Sequence, residues 1–426
     1  MQELTRLIKE DMKPALGVTE PGAIAFAVAK ARDYTEGEIE QVIVSLNSGM
    51  YKNAFTCGIP NSDEVGNLYA AALGAIAGDA QRGLEALWRI TASDNEKAKE
   101  WVLQGKVEVQ LSHIGSAISI KATVITEKDR CTVKIAGGHT DIHSIVKNET
   151  VIWKKDEDAA NEAVALEDAS ICHFTLAEIL HYIETVDEKE ISFVREAFEM
   201  NMALLSEGLE SEKTSFGPWL YRENGRKMIS EDAQRTAQLF CGGAIEARVL
   251  GLSRPAMSIT GSGAHGIIAT LPLLAYQQVH KEQVDEVQVL RATALSFLVT
   301  MYIKEYSGKL SAFCGCGIAA GTGMACGLCF LQGGDLEKLT CVIRNMSSGI
   351  TGMICYGGNQ GCVMKGIVAV DAAFRAVDLA MEGISVEAVH GINGKTPEET
   401  MRNMGRIASP GMEKTEEVIV QIMQEK

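Results

Sequence analysis

The chain is short of basic residues: 40 Lys and Arg stand against 56 Asp and Glu, which gives a formal net charge of −16. Nucleic acid and anionic membranes both require a basic surface on their protein partner. The sequence also lacks an apolar run of membrane-spanning length that is free of charged residues or glycine. We therefore expect neither a nucleic acid nor a membrane as a partner.

A secretory signal pattern is also missing from the first residues, which read MQELTRL. The 11 cysteines are an odd number in a long chain. A cytoplasmic, reducing location is the expectation, in which cysteines act as free thiols, small core residues or metal ligands rather than as a disulfide framework. Aromatic residues are few, at 6%, whereas 41 glycines are present, which predicts tight backbone packing with small core residues.

At 426 residues the chain is long enough for two domains. Alternating strand patterns and turn residues between 107 and 154 predict an antiparallel sheet. We predict an α+β N-terminal domain over residues 1–187 and a mainly α-helical C-terminal domain over residues 188–426. The commonness of two-fold assemblies favours a homodimer.

Further local expectations follow from the patterns. Thr19 is expected to cap a helix that runs to about Arg32. The other expected features are helices at 3–12, 63–79 and 82–103, a solvated linker at 154–170, and glycine-rich loops at 261–266, 315–323, 333–334 and 357–361.

Two cysteines in the C-terminal half, Cys355 and Cys362, bracket the glycine-rich stretch YGGNQG, and Cys314 precedes them. Glycine removes side-chain bulk and allows positive φ, as a loop wrapped closely around an inorganic cluster requires. Three thiolates on one iron–sulfur cluster would leave one iron open for substrate. The residues alone leave a second interpretation open, in which these cysteines are core residues.

Three further cysteines, Cys316, Cys326 and Cys329, form Cys-x-Cys and Cys-x-x-Cys spacings that a zinc site can use. They lie in an Ala/Gly-rich helical run, and free cysteine is among the most buried residue types. We predict that these three are small core residues.

Three other segments carry candidate binding groups. The loop through Thr260, Gly261, Ser262 and Gly263 opens a helix and could present backbone N–H groups to a carboxylate, although a structural turn would have the same pattern. His139 follows a glycine pair and could reach into a cleft or simply cap a turn. Lys52 and Asn53 could hold a carboxylate or form a solvated turn.

Taken together, these segments resemble the L-cysteine desulfidases, which belong with the alpha-subunit domain of the iron–sulfur L-serine dehydratases. The resemblance covers essentially the whole chain, with six segments in the same order. They are DMKPALGVTEP at 11–21, MYKN at 50–53, GGHT at 137–140, GSGAHGI at 261–267, LSAFC at 310–314 and GMICYGGNQGC at 352–362.

The resemblance implies that Cys314, Cys355 and Cys362 hold a [4Fe–4S] cluster, with no pyridoxal phosphate (PLP). It implies a lyase that converts L-cysteine and water to pyruvate, ammonia and sulfide, with L-serine dehydration as the parallel reaction. It also assigns a small amino acid as substrate, bound by the residues 260–263 with Lys52, Asn53 and His139.

The sequence departs from the family pattern at two places. The family motif usually reads PALGCTEP, with a cysteine that is thought to act as the base or as a resting ligand, whereas this chain has Val18. Ala264 and His265 stand where an Asn-Gln pair is common. Two explanations are open: His265, His139, Lys52 or Cys57 supplies the base, or the protein is a catalytically silent relative that binds an amino acid or a metal.

Overall fold

The computed structural model describes residues 2–155, 170–308 and 310–426. The helices are Gln2–Asp11 (α1), Thr19–Arg32 (α2), Ser48–Ala54 (α3), Gly66–Ala77 (α4), Ala92–Leu103 (α5), Leu176–Thr185 (α6), Glu188–Ile191 (α7), Arg195–Glu210 (α8), Phe216–Glu223 (α9), Ala233–Val249 (α10), Gly263–Val279 (α11), Glu286–Ser307 (α12), Gly321–Leu331 (α13), Leu336–Ile350 (α14), Gly361–Met381 (α15), Pro397–Ala408 (α16) and Glu413–Gln424 (α17). The strands are Lys13–Leu16 (β1), Ile39–Asn47 (β2), Val107–His113 (β3), Ser119–Thr126 (β4), Arg130–Ala136 (β5), Ile142–Lys147 (β6), Thr150–Lys154 (β7) and Pro255–Ser258 (β8).

The N-terminal part is built on a six-stranded sheet in the order β3-β2-β4-β5-β6-β7. All neighbouring pairs are antiparallel except β2 with β3, which is parallel. Buried and exposed residues alternate along β5, where Cys131, Val133 and Ile135 face the core. The alanine-rich helix α2 packs on this face and is buried almost throughout, so small side chains let the sheet and helices approach closely. The predicted α+β region with an antiparallel sheet is confirmed.

The rest of the chain is mainly helical, as predicted, and α10 to α15 form a second apolar core. The start of the chain joins this second core: Leu4, Ile8 and Met12 pack there. Strand β1 pairs antiparallel with β8 from the helical part. This pairing brings Val18 and the start of α2 to the helical part, while the boundary at residue 187 stays a prediction.

Helix α12 is the one described segment with the length and apolar composition of a membrane span. Within its most apolar window, 72% of the residues are buried inside the structure. Burial in the protein core accounts for its apolar character.

Four local expectations were wrong in whole or in part. The loop expected at 261–266 ends at Ser262, because helix α11 begins at Gly263. The single helix expected at 82–103 does not form, because Gly83 has the non-helical angles φ 56° and ψ −120°. A separate helix, α5, begins after a capping box at Thr91. The loop expected at 315–323 is a π-helical turn, Cys316–Ala320, that continues into α13, since its small residues permit close helix packing. Thr19 is not the cap: Val18 precedes the helix, and the Thr19 hydroxyl donates to the Gly261 carbonyl at 3.3 Å. Most of the expected linker, residues 156–169, lies outside the described residues.

Candidate functional site

The two cysteine segments are joined by backbone pairing. Phe313 and Ile354 form an antiparallel bridge. The Cys314 N–H donates to the Met353 carbonyl at 3.1 Å, and the Cys355 N–H donates to the Ala312 carbonyl at 2.6 Å. This pairing places Cys314 beside Cys355, although they are far apart in sequence.

The loop that follows Cys355 folds back so that Cys362 opens helix α15 close to the other two cysteines. The Cys362 thiol lies 3.4 Å from the Gly357 carbonyl oxygen. Gly357 has φ 103°, and a Cβ there would collide with the Lys52 carbonyl, so glycine is required at this position. The thiols of Cys314 and Cys362 are buried and that of Cys355 is half-buried. We call Cys314, Cys355 and Cys362 with their two segments the thiol pocket.

The pKa values of Cys314 and Cys362 are shifted in opposite directions. A hydrogen bond from Cys316 lowers the pKa of Cys314 to about 6; burial opposes this, and the ammonium groups of Lys365 and Lys52 assist it. Burial raises the pKa of Cys362 to about 11 in spite of Lys365. Of these two thiols, Cys314 is therefore the one that is better prepared to be a thiolate.

Lys365, one turn after Cys362 on α15, is a buried cation of this pocket with 7% of its surface exposed. Burial works to lower the pKa of Lys365, but the charges of Cys314, Cys355 and Cys362 outweigh it, and the pKa is raised. Its Nζ lies 3.4 Å from the centre of the Tyr356 ring. The positive charge thus faces the three thiols and one aromatic face.

Lys52, from α3, connects the two cysteine segments to the C-terminal helix. Its ammonium donates to the Ser311 carbonyl at 2.9 Å, to the Cys355 carbonyl at 3.1 Å and to the Glu416 carboxylate at 2.6 Å. The side chain of Lys52 is 0% exposed and that of Glu416 is 5% exposed. These contacts use all three donors of the ammonium group, so Lys52 positions the segments that carry the thiols.

A polar chain leads from the sheet region to Cys355. His139, in the turn between β5 and β6, places Nε2 at 4.0 Å from Glu20 Oε1. The same Glu20 oxygen accepts a hydrogen bond from Asn53 Nδ2 at 2.8 Å, and Asn53 Oδ1 lies 3.9 Å from the Cys355 thiol. A histidine, a carboxylate and an amide therefore line one approach to the thiol pocket.

The loop at 260–263 lies against the same region and has an unusual backbone. Thr260 has φ 51°, which is rare for a β-branched residue, and its N–H donates to the Asp11 carboxylate. Gly261 lies near the His139 ring and accepts from Thr19. Ser262 closes the turn by exchanging hydrogen bonds with Ile259, and Gly263 lies instead against Arg248.

His265 follows this loop on α11 and is buried against the cysteine segment. Its Nδ1 lies 2.5 Å from the Thr260 hydroxyl, and its Nε2 abuts Gly315. Burial, with the charges of Lys304 and Arg248, lowers the pKa of His265 well below its ordinary value. The imidazole is neutral at physiological pH.

Val18 and Cys57 are the two remaining residues in question. Val18 is buried against the loop between the cysteines: a Cβ on Gly358 would lie 2.9 Å from Val18 Cγ1. Cys57 is fully buried, and burial and the Glu20 charge raise its pKa. Position 18 therefore faces the thiol pocket, as the family motif implies, but carries an inert side chain.

The residues fit an iron–sulfur cluster by the chemistry of their donor set and by the orphaned ammonium beside them. In the described residues, no group of three or more His, Cys, Asp or Glu side chains converges to hold a single metal ion. Each thiolate of a [4Fe–4S] cluster binds a different iron, so its ligands surround a volume rather than a point. Lys365 Nζ is buried with no hydrogen-bond partner among the described residues, as expected beside a site for an anionic group.

Sequence reasoning missed three residues of this site: Glu20, Lys365 and Glu416. Glu20 lies in the motif TEP in the first turn of the apolar, alanine-rich helix α2, and a carboxylate within such an apolar helix signals a buried functional group. Lys365 stands among apolar residues on α15 in the same way. Glu416 lies in a polar helix pattern and gives no signal.

The chain is similar to other proteins over almost its whole length. The chain is 40% identical over 428 residues to a UPF0597 protein of Clostridium botulinum strain Langeland, covering 99% of this chain and 98% of that protein. It is 38% identical over 424 residues to the UPF0597 protein TTE0269 of Caldanaerobacter subterraneus subsp. tengcongensis, with 99% and 98% covered. A UPF0597 protein of Clostridioides difficile strain 630 is 32% identical over 421 residues, with 98% of each chain covered.

Residues 81–421 match the family described as serine dehydratase alpha chain. This range includes the helical part and all three cysteines of the thiol pocket. The match covers most of the chain, and the motifs of the sequence and the contacts of the thiol pocket agree with it. The chain belongs to the serine dehydratase alpha chain family.

Proposed function

We propose that this chain is a PLP-independent iron–sulfur lyase that acts on a small amino acid. L-Cysteine is the substrate that we favour, and L-serine is the alternative. One observation supports the proposal: the backbone pairing that joins Cys314 to Cys355, with the loop that returns to Cys362, brings three thiols together beside a buried ammonium and the polar chain from His139 to Cys355. The family match is the second line of support.

A [4Fe–4S] cluster on Cys314, Cys355 and Cys362 would supply an open iron as a Lewis acid. Among the base candidates we favour His139. Lys52 uses its three donors in the fold, and His265 is buried behind Thr260. His139 is partly exposed and lies by the Glu20 carboxylate, which would orient the ring and stabilise its protonated form.

The other residues would bind the substrate. Of the residues 260–263, the N–H groups of Gly261 and Gly263 would hold the substrate carboxylate at the N-terminus of α11, because those of Thr260 and Ser262 already donate to Asp11 and Ile259. Asn53, which contacts both Glu20 and the Cys355 thiol, would hold these two side chains in position relative to each other. After loss of the α-proton and the thiol or hydroxyl group, the aminoacrylate released would hydrolyse in water to pyruvate and ammonia.

A cavity of 690 Å³ has Asn359, Gln360 and Gly361 in its wall, which belong to the loop between Cys355 and Cys362. Asp63 and Lys213 also line it. This volume suits a small molecule. We infer that substrate approaches the thiol pocket from this side.

The test is anaerobic reconstitution with iron and sulfide, followed by assays of pyruvate, ammonia and sulfide over a panel of small amino acids. We expect a brown protein with broad visible absorption that bleaches in air, and pyruvate from L-cysteine.

His139→Asn should lower kcat by about 100-fold or more with unchanged iron content, because general base catalysis contributes a factor of about 10² to 10⁴ to the rate. His113→Asn, on the exposed end of β3, is the control. A colourless reconstituted protein that forms no pyruvate would contradict the proposal.

A second candidate, a catalytically silent relative that binds an amino acid, is favoured by one observation: Val18 fills the place against Gly358 where the family has a reactive thiol. Val18→Cys distinguishes the two. Sulfide release by Val18→Cys alone would show that the natural chain is silent. Turnover by the natural chain would exclude this candidate.

A further inference from the structure

Three lysines lie around the thiol pocket, and their partners differ. Lys52 donates to two carbonyls and to the Glu416 carboxylate. Lys304 donates to the Gly308 carbonyl at 2.7 Å. Lys365 Nζ is as buried as these, yet no hydrogen bond from it is formed with the described residues.

An ammonium group that is removed from water without a partner is expensive, so its position calls for a nearby anionic group. The groups that face Lys365 electrostatically are Cys314, Cys355, Cys362 and Tyr356. The Tyr356 ring covers one side of the ammonium at 3.4 Å, and the ammonium nitrogen itself is buried. The three thiols of the pocket are the groups whose negative charge acts most strongly on this ammonium, so we expect the compensating charge to lie there.

The net charge of the expected cofactor is opposite in sign to that of the Lys365 ammonium. A [4Fe–4S] core that carries two positive charges, bound by three thiolates, has one net negative charge. Lys52 is neutralised by Glu416, and Lys304 donates to the Gly308 carbonyl, whereas Lys365 has no hydrogen-bond partner among the described residues and is the ammonium that we assign to the cluster. A buried negative charge of this kind is stable only with such a partner.

We propose that Lys365 is the fixed counter-charge of the iron–sulfur cluster, so that it determines how firmly the cluster is retained and at what potential the cluster is reduced. The inference rests on the proposed function, because it requires the cluster. It makes Lys365 a positioning residue that acts through the cofactor. It also gives Tyr356 a role: its ring covers one side of the ammonium, and Gly361 leaves room for that ring.

The test uses the full chain, reconstituted anaerobically, as the natural protein and as Lys365→Met, Lys365→Arg and Arg375→Met. Methionine keeps the length and apolar stem of lysine, and arginine keeps the charge. Arg375 lies on the same helix but is exposed, so Arg375→Met removes one positive charge from α15 without touching the pocket. Three quantities are measured: iron and sulfide per chain, the rate of cluster loss to a chelator, and the midpoint potential by optical titration.

We expect Lys365→Met to lose its cluster at least tenfold faster than the natural protein. Loss of a positive charge also makes addition of an electron less favourable. We expect a tenfold shift in the reduced-to-oxidised ratio, which is a fall of about 59 mV in the one-electron midpoint potential. Lys365→Arg should lie closer to the natural protein, and Arg375→Met should match it.

Equal retention and equal potential in Lys365→Met and the natural protein would overturn this inference and leave the proposed function standing. Failure of the natural protein to assemble any cluster would overturn both. If Lys365→Met does not fold, as judged by its thermal transition, Lys365→Gln takes its place under the same criteria.

Discussion

Cysteines occupy two contrasting environments in the helical part of the molecule. Cys241, Cys326 and Cys329 lie on helices α10 and α13, are fully buried among apolar side chains, and have pKa values that burial raises. The cysteines of the thiol pocket lie in loops or at the first turn of a helix, with lysines facing them. Burial alone therefore does not distinguish a core cysteine from a ligand: the backbone around it and the nearest charge do.

The largest expected effect separates these two groups. Alanine at Cys314, Cys355 or Cys362 should abolish stable cluster assembly, measured as iron per chain after anaerobic reconstitution, because each would remove one of three ligands. Alanine at Cys326 or Cys329 should leave the iron content unchanged and lower the free energy of unfolding by about 1 kcal/mol. Loss of iron in the α13 variants, with iron retained in the pocket variants, would reverse the assignment.

The next effect concerns what holds the thiol pocket together. Lys52→Met leaves the Glu416 carboxylate buried without its cation, so the free energy of unfolding should fall by about 3–5 kcal/mol. Chemical denaturation measures this change. Lys414→Met is the matched control on the same helix as Glu416: the Lys414–Glu417 pair is exposed and should contribute at most about 1 kcal/mol. Equal losses in the two variants would show that the buried pair does not stabilise the pocket.

A smaller effect should appear as a pH dependence at His265. Its pKa is lowered in the folded protein, so below pH about 6.5 the unfolded chain binds a proton that the folded chain excludes. The stability is complete above that pH and falls as the pH decreases, at up to about 1.4 kcal/mol per pH unit. The difference between the natural protein and His265→Gln, from denaturation between pH 8 and 5, isolates this slope. His113→Gln, at an exposed site, should keep it.

The sequence predicts the broad architecture, because alternation in residues 107–154 and apolar helical patterns after 176 are local signals. It does not predict that β3 runs parallel to β2, since this pairing depends on how the intervening chain packs, with α4 in contact with both strands. Core roles for Cys326 and Cys329 are confirmed by their burial. Cys316 is instead half-buried, and its free thiol forms a hydrogen bond with that of Cys314.

The residues of the candidate site were only partly predictable for the same reason. The order of the motifs points to the three cysteines, which stay a prediction as ligands. Glu20, Glu416 and Lys365 acquire their roles through contacts between residues that are distant in sequence, and no local pattern marks such contacts. Lys52 illustrates the point: an apparently solvated Lys-Asn pair is a buried centre of three hydrogen bonds.

The Lys52–Glu416 pair also has a consequence for biosynthesis. It joins residues that are 364 positions apart, and Lys52 in turn holds Ser311 and Cys355. On the ribosome, all three cysteines of the thiol pocket emerge before the carboxylate that neutralises Lys52. The pocket is complete only after residue 416 has left the exit tunnel, so a cofactor can be inserted into a finished site only after that residue has emerged.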